Sequence, residues 1–366
     1  MHSHFNISAH QFFILIILYS VGTVILHTPS PLADIANQDA WLAAILGTCI
    51  GLVLVSLYIK VGSIFPNLTL DRVNEKLLGK WGGKIINFTF FFWALLSAGE
   101  TTFFVGDFFN TFWMPDTPLV ALNILYGVIV ILAVRVGVES FARSVEILFI
   151  PFVLLLIILI ISILPQTNIQ NIQPVLGEGM KPVLHATFFY VGMFSMSPVM
   201  FLMIFPSFIN HREAAIKAFY KGTWIGGIIL IIIIILNILV LGPESTARHF
   251  APSYTLAKKI NVANFLTRIE AIIALVWVIT SYIRTVMYFY VAVAVLANIF
   301  EIKDHRPLTM PLGIIFIFLS LIVYPDVQAV GQYNKEIWFF YASTYGLIMP
   351  ILLLSIAKIQ KTGKIS

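Results

Sequence analysis

Long apolar runs separated by short polar connections organise the whole chain, and several runs carry no charge at all. The uncharged stretches from Gly222 to Pro243 and from Ile147 to Gly177 each exceed the ~20 residues that an α-helix needs to cross a bilayer. The pattern predicts ten spans, at 8–36, 41–60, 84–112, 118–136, 145–164, 183–209, 222–242, 268–297, 309–325 and 336–357. The first and the sixth are interrupted. Tyr19-Ser20-Val21-Gly22-Thr23 runs on to Pro29 in one, and Tyr190-Val191-Gly192-Met193-Phe194 runs on to Pro198 in the other. These interruptions fall at corresponding places in two successive sets of five spans, about 8–164 and about 183–357. Inverted-repeat transporters show this pattern, with the ligand site where two helices unwind at mid-bilayer. The expected fold class is an all-α integral membrane protein of about ten transmembrane helices. It is a 5+5 inverted repeat with broken helices 1 and 6, in a single membrane domain over 1–366.

Composition agrees. Of 366 residues, 59% are hydrophobic and 11% charged, with a mean hydropathy of +0.95, more apolar surface than a water-soluble domain can hide. The lone Cys49 excludes an internal disulfide, a cysteine metal cluster and a redox pair. The first apolar run, from Gln11 to Leu26, meets His27-Thr28-Pro29-Ser30-Pro31 instead of a small-x-small cleavage site, so it reads as a span and not as a signal peptide. The net charge of +5 is spread over short loops, which points to membrane orientation and away from nucleic acid. With the N-terminus in the cytoplasm, fifteen Lys and Arg fall inside and six outside, Arg284 lying within a span. That asymmetry places both termini in the cytoplasm.

Two connections are long enough to fold. Leu70 to Leu78, with Asp71, Arg72, Glu75 and Lys76 among apolar residues, reads as a short amphipathic helix on the cytoplasmic face. Glu244 to Leu266 carries Phe250, Tyr254, Leu256 and Phe265, and is expected to fold over the extracellular mouth as a lid or as simple packing.

The two breaks carry the candidate chemistry. Ser20, Val21, Gly22 and Thr23 would leave backbone N–H groups free at the start of an outer half-helix, where an anionic group is favoured. In the second break, Ser197-Pro198 suits the start of an inner half-helix. The carbonyls of Phe189, Tyr190 and Val191 would then face the gap, beside Gly192 and Met193. Together these groups would suit a zwitterion. One such break is an ordinary kink that a membrane helix tolerates; its recurrence in both halves is the argument for a site.

Charges within spans need a reason, because each costs ~2.5–3.5 kcal/mol at the bilayer centre even on insertion scales. Glu100 lies sixteen residues beyond Lys84 and Arg284 sixteen beyond Arg268, which sets both near one depth. They are expected to form a structural ion pair, with proton exchange at Glu100 as the functional alternative. Asp107 lies two turns further outward, and His27 and His185 flank the breaks. Thr280, Ser281 and Thr285 surround Arg284 and offer hydroxyls either to the site or back to their own helix. Other motifs fail. Gly79-Lys80-Trp81-Gly82-Gly83-Lys84 has Ile85 where a phosphate loop needs Ser or Thr. The glycosylation triplets at Asn6, Asn67 and Asn87 fall on the cytoplasmic side or at a span entrance. No catalytic residue, metal site or cofactor is expected.

The sequence resembles the B subunit of bacterial spore germinant receptors, within the amino acid/polyamine/organocation permease superfamily. The resemblance covers essentially the whole chain. It rests on Gly22-Thr23 with Pro29, Gln38-Asp39-Ala40-Trp41, Gly137-Val138-Glu139 with Ala142-Arg143, Gln173-Pro174-Val175-Leu176 with Glu178-Gly179, and Arg268-Ile269-Glu270-Ala271. It implies a leucine-transporter-like fold and a membrane subunit that binds a small nutrient germinant, such as an amino acid, and triggers germination. It also implies residence in the spore inner membrane among membrane lipid, beside an A subunit and a C-subunit lipoprotein. The runner-up is an active amino acid transporter, proton-coupled or an exchanger; a membrane anchor for the A subunit is a third reading. The superfamily commonly shows a second small residue where this chain has Val24, a departure that narrows the site.

Overall fold

The computed structural model describes residues 7–259, 270–324, 330, 331, 333 and 337–360. Among them, nine helices are long and apolar enough to cross a membrane, and a shorter apolar helical stretch lies at Arg306–Ile322. The Phe265 end of the 244–266 connection, Arg268 at the start of the eighth span and the last residue of the ninth span lie outside the described residues.

The first helix, α1 (Ala9–Val21), starts at a reciprocal cap in which the Ser8 hydroxyl accepts from the Gln11 N–H at 3.0 Å and the Gln11 side chain accepts from the Ser8 N–H at 3.0 Å. It is apolar nearly all round, and its residues from Ile14 to Val21 are buried, which suits a central helix. Gly22 ends it. After one turn, α2 (Val24–His27), the chain continues through α3 (Pro29–Ala36) and reverses at Asn37 into α4 (Ala40–Ile64).

The next helix, α5 (Leu70–Phe112), is interrupted at Gly79, whose φ of +77° is non-helical. Residues 70–78 therefore form the separate short helix that their amphipathic pattern predicts. Beyond it, α6 (Leu119–Val136) and α7 (Val138–Ile163) complete the first set. On α7 the exposed Ile147, Ile150, Leu154, Ile157, Ile158 and Ile161 fall at helical spacing, an apolar stripe that only lipid can cover favourably.

The second set opens with α8 (Met180–Tyr190), which loosens into a π turn at Val191–Ser195 and tightens into a 3-10 turn at Ser197–Met203. The inner half-segment thus begins at Ser197-Pro198, but as a 3-10 turn, and without the expected side-chain cap. Then come α9 (Arg212–Leu241), α10 (Pro243–Arg248), α11 (Pro252–Lys258), α12 (Glu270–Ile299) and α13 (Thr309–Ile322). The last span repeats the loosened geometry, with α14 (Trp338–Ser343), a π turn at Thr344–Ile348 and α15 (Met349–Ile359). The two π turns are tied together. The Tyr58 hydroxyl, on α4, lies 3.1 Å from the Met196 carbonyl and 2.7 Å from the Gly346 carbonyl.

The described part of the 244–266 connection packs over one end of the bundle. Ser253 donates to the Ile25 carbonyl at 2.7 Å, Ser30 donates to the Ala247 carbonyl at 2.9 Å, and the Tyr254 ring sits on Phe112 at 4.7 Å. These contacts cover the α2–α3 half of the first broken span.

Candidate binding site between the broken helices

At the first break the backbone leaves the helix at a single residue. The ladder ends with the Gly22 N–H bonded to Leu18 O at 3.0 Å, and Gly22 then adopts φ +31° and ψ −135°, a conformation that suits glycine. A Cβ there would stand 2.6 Å from Arg284 Cδ and 2.7 Å from the Tyr19 carbonyl. The Gly22 carbonyl accepts from Thr280 Oγ1 on α12 at 3.2 Å. Beyond the break, Thr23 and Val24 face a small cavity of about 50 Å³.

The second break is spread over two turns, and its carbonyls are already engaged. Gly192 O accepts from Trp338 Nε1 at 3.1 Å, Met193 O from Arg284 Nη2 at 3.0 Å, and Ser197 O from the Tyr19 hydroxyl at 3.0 Å. The expected open carbonyl at Val191 is therefore corrected. Val191 O closes the π turn by accepting from the Met196 N–H at 3.1 Å, and the groups turned out of the ladder lie further along, each taken by a side chain from another helix.

The cavity lies between these breaks, walled by α5, α12 and the start of α14. Of the residues singled out from the sequence, it brings together Thr23, Val24, His27, Glu100, Met193 and Arg284. Gly22 adjoins it through Arg284, and Gly192 through Trp338. Phe189 lines a larger neighbouring cavity of about 260 Å³. That cavity shares His27, Thr28, Phe104 and Met193 with the small one, so these four stand between the two spaces. His27 is held there by its Nδ1, 3.2 Å from the Phe250 carbonyl, and by the Phe250 ring at 4.6 Å. His185 lines a third cavity of about 670 Å³ between α3, α8 and α14.

Other candidates are turned away. Ser20 faces Gly226 on α9. Val21 is fully buried in the core. The Tyr190 ring packs on Gly47, with its hydroxyl 3.3 Å from Thr48. Thr285 pairs with the Tyr126 hydroxyl on α6 at 2.9 Å and also bonds back to the Ser281 carbonyl. Thr280 and Arg284 share one face of α12, and Ser281 and Thr285, each one residue on, belong to the next.

Glu100 and Arg284 do share a depth and a cavity, but they do not form the expected ion pair. Glu100, 7% exposed, accepts from the Tyr324 hydroxyl at 3.1 Å. Arg284, 3% exposed, donates from Nη2 to Met193 O and to Ser197 Oγ at 3.2 Å, and lies against the Tyr288 hydroxyl and the faces of Tyr19 and Tyr288. Buried charges need partners; here neutral hydroxyls, a carbonyl and aromatic faces supply them. Sequence reasoning missed Tyr288, Ser97, Thr101, Tyr324 and Trp338 in the wall. Tyr288 lies at i+4 from Arg284, and Ser97, Thr101 and Phe104 recur at helical spacing around Glu100, so these were recoverable from periodicity. Tyr324 and Trp338 come from distant segments and carry no local signal.

Two solved structures share the fold. Over 100% of this chain and 95% of its own length, the structure of Mhp1, a nucleobase-cation-symport-1 family transporter in a closed conformation with bromovinylhydantoin bound, matches with a TM-score of 0.68 at 10% identity. That of MhsT in complex with L-phenylalanine matches over 94% of this chain and 97% of its own, with a TM-score of 0.61 at 16% identity. The fold is that of the leucine-transporter class of membrane proteins. By sequence, the spore germination protein family matches residues 6–326. Spore germination protein KB of Bacillus subtilis (strain 168) is 30% identical over 362 residues, 97% of this chain and 95% of that protein. The chain belongs to the spore germination protein family.

Proposed function

We propose that this chain is the membrane subunit of a spore germinant receptor, one that binds a small nutrient at mid-bilayer in the cavity between its broken helices and thereby triggers germination. The observation that carries the reading is the cavity itself, in which Thr23 of one break and Met193 of the other meet Glu100 and Arg284. Membership of the spore germination protein family supports the germination role. A receptor needs only that ligand favour one arrangement of the breaks, and the shift can be no larger than the difference in affinity between the two states. Release on the far side is not required. Val24 in the cavity wall and the side chains that fill the second break both favour sensing over steady passage.

In this reading the chain is one membrane domain of two repeats, lies in the inner membrane of the spore with both termini in the cytoplasm, and signals through an A subunit and a C-subunit lipoprotein. Cysteine at Lys258 in a Cys49→Ser background should then react with an impermeant reagent from outside, and cysteine at Lys217 should not; the reverse pattern overturns the orientation. The functional test is binding and flux on one preparation. Purified protein is screened against amino acids, sugars and nucleosides, then placed in liposomes with whichever labelled compound binds. Saturable binding with negligible accumulation or exchange is expected. Rapid saturable uptake that depends on Gly22 would make the chain an active transporter.

A further inference from the structure

A carboxyl group and a guanidinium face one cavity without pairing, and the guanidinium has an unused edge. Arg284 spends Nη2 on the Met193 carbonyl and the Ser197 and Tyr288 hydroxyls, while Nη1, buried beside Gly22, has no hydrogen-bond partner among the described residues. A buried guanidinium N–H left unpaired is costly, and the group that relieves the cost best is a carboxylate, which matches the planar fork of a guanidinium. Glu100, on the facing helix α5, is held through the Tyr324 hydroxyl at 3.1 Å, a neutral partner that fixes the carboxyl in place. An ordinary buried Glu–Arg pair would have closed on itself and left no polar demand in the cavity. Here aromatic and hydroxyl partners hold the two groups in place.

We propose that Arg284 is the specificity-determining residue of the site, reading the carboxylate of a zwitterionic ligand through its free Nη1 edge while Glu100 takes the ammonium group. This rests on the cavity being the binding site, as proposed above, and adds which end of the ligand meets which side chain. Phe104 and Met193, which with His27 and Thr28 stand between the small cavity and its larger neighbour, give the remainder of the ligand a partly apolar way out of the small cavity. The charged ends are held deep and the side chain of the ligand points outward.

The test uses the full-length purified chain and measures equilibrium binding of labelled L-alanine, L-valine and L-leucine, with competition by L-alaninamide, L-valinamide and L-leucinamide. At least one acid should bind the wild type, and its amide should compete about 10- to 100-fold more weakly, as expected for loss of a charge-assisted hydrogen bond. Arg284→Gln should bind acid and amide equally and weakly. Arg284→Lys, which keeps charge but loses the fork, should retain a reduced preference for the acid. The acid-to-amide ratio separates recognition from architecture, because a residue that merely braces the second break would weaken both compounds alike. The wild-type ratio and Arg284→Lys decide the matter even where Arg284→Gln fails to fold. Equal binding of acid and amide by the wild type, or an unchanged ratio in Arg284→Gln, overturns the assignment. Binding of a sugar or nucleoside that a bulky Thr23→Trp blocks, with no binding of these amino acids, overturns it while leaving the site in place. Binding that Thr23→Trp leaves intact overturns the site itself, and absence of any binding removes both.

Discussion

The two breaks differ in how the backbone leaves the helix and in who completes it. The first turns at one residue, Gly22, with φ +31°, and depends on a glycine that has no room for a side chain. The second unwinds gradually through a π turn and a 3-10 turn. Its carbonyls are held by Trp338, Arg284, Tyr58 and Tyr19. A sharp break is set by local sterics, and a gradual one by partners from other helices. The first should therefore be intolerant at one position. The second should lose stability piecemeal as its donors are removed.

The largest effect is expected at Gly22. Leucine there meets the Tyr19 backbone and the Arg284 stem and should abolish ligand response; alanine should cost about 2–5 kcal/mol from the left-handed φ and the overpacking together, measured as thermal unfolding in detergent. Next come the donors of the second break. Trp338→Phe and Tyr19→Phe leave the buried carbonyls of Gly192 and Ser197 without these partners, a loss of ~1–3 kcal/mol each. An unchanged unfolding midpoint in both would mean that the second break does not depend on its side-chain donors. Gly192→Ala should be the mildest change in the breaks. The added Cβ meets nothing closer than the Phe339 Cα at 3.4 Å, so the expected shift is within about 0.5 kcal/mol, and a loss as large as that of Gly22→Ala would erase the contrast.

A smaller effect is expected away from the site. Glu301, fully exposed beyond α12, has its carboxyl held below the ordinary value of 4.5 by hydrogen bonds from Lys80 and Lys84. A lowered carboxylate stabilises the folded state above its unfolded value and loses that contribution as pH falls through the folded one. Glu301→Gln should therefore narrow the stability difference between neutral and acidic solution only slightly, and less at high salt.

Much of this was legible in the chain because membrane spans are read from length and charge. Both breaks fell where Gly22 and Gly192 placed them, and the short helix before Gly79 followed from its polar pattern. Depth was legible too, since counting from Lys84 and from Arg268 brought Glu100 and Arg284 to one cavity. Azimuth was not. Whether a hydroxyl faces the site or a neighbour turns on one residue of helical phase, which is why Thr285 belongs to Tyr126 and Ser20 to α9. Nor was the filling of the second break legible, because the donors to its carbonyls are brought in by tertiary packing and leave no local pattern. A sequence shows where a ladder is interrupted; it does not show which distant side chain satisfies the freed carbonyls.

The central claim is that the cavity between the breaks binds the nutrient, and equilibrium binding of the labelled germinant to purified wild-type and Gly22→Leu protein tests it most directly. The account predicts saturable binding to the wild type and none to Gly22→Leu, with the variant still folded and recovered from the membrane. Wild-type affinity in folded Gly22→Leu protein would contradict it.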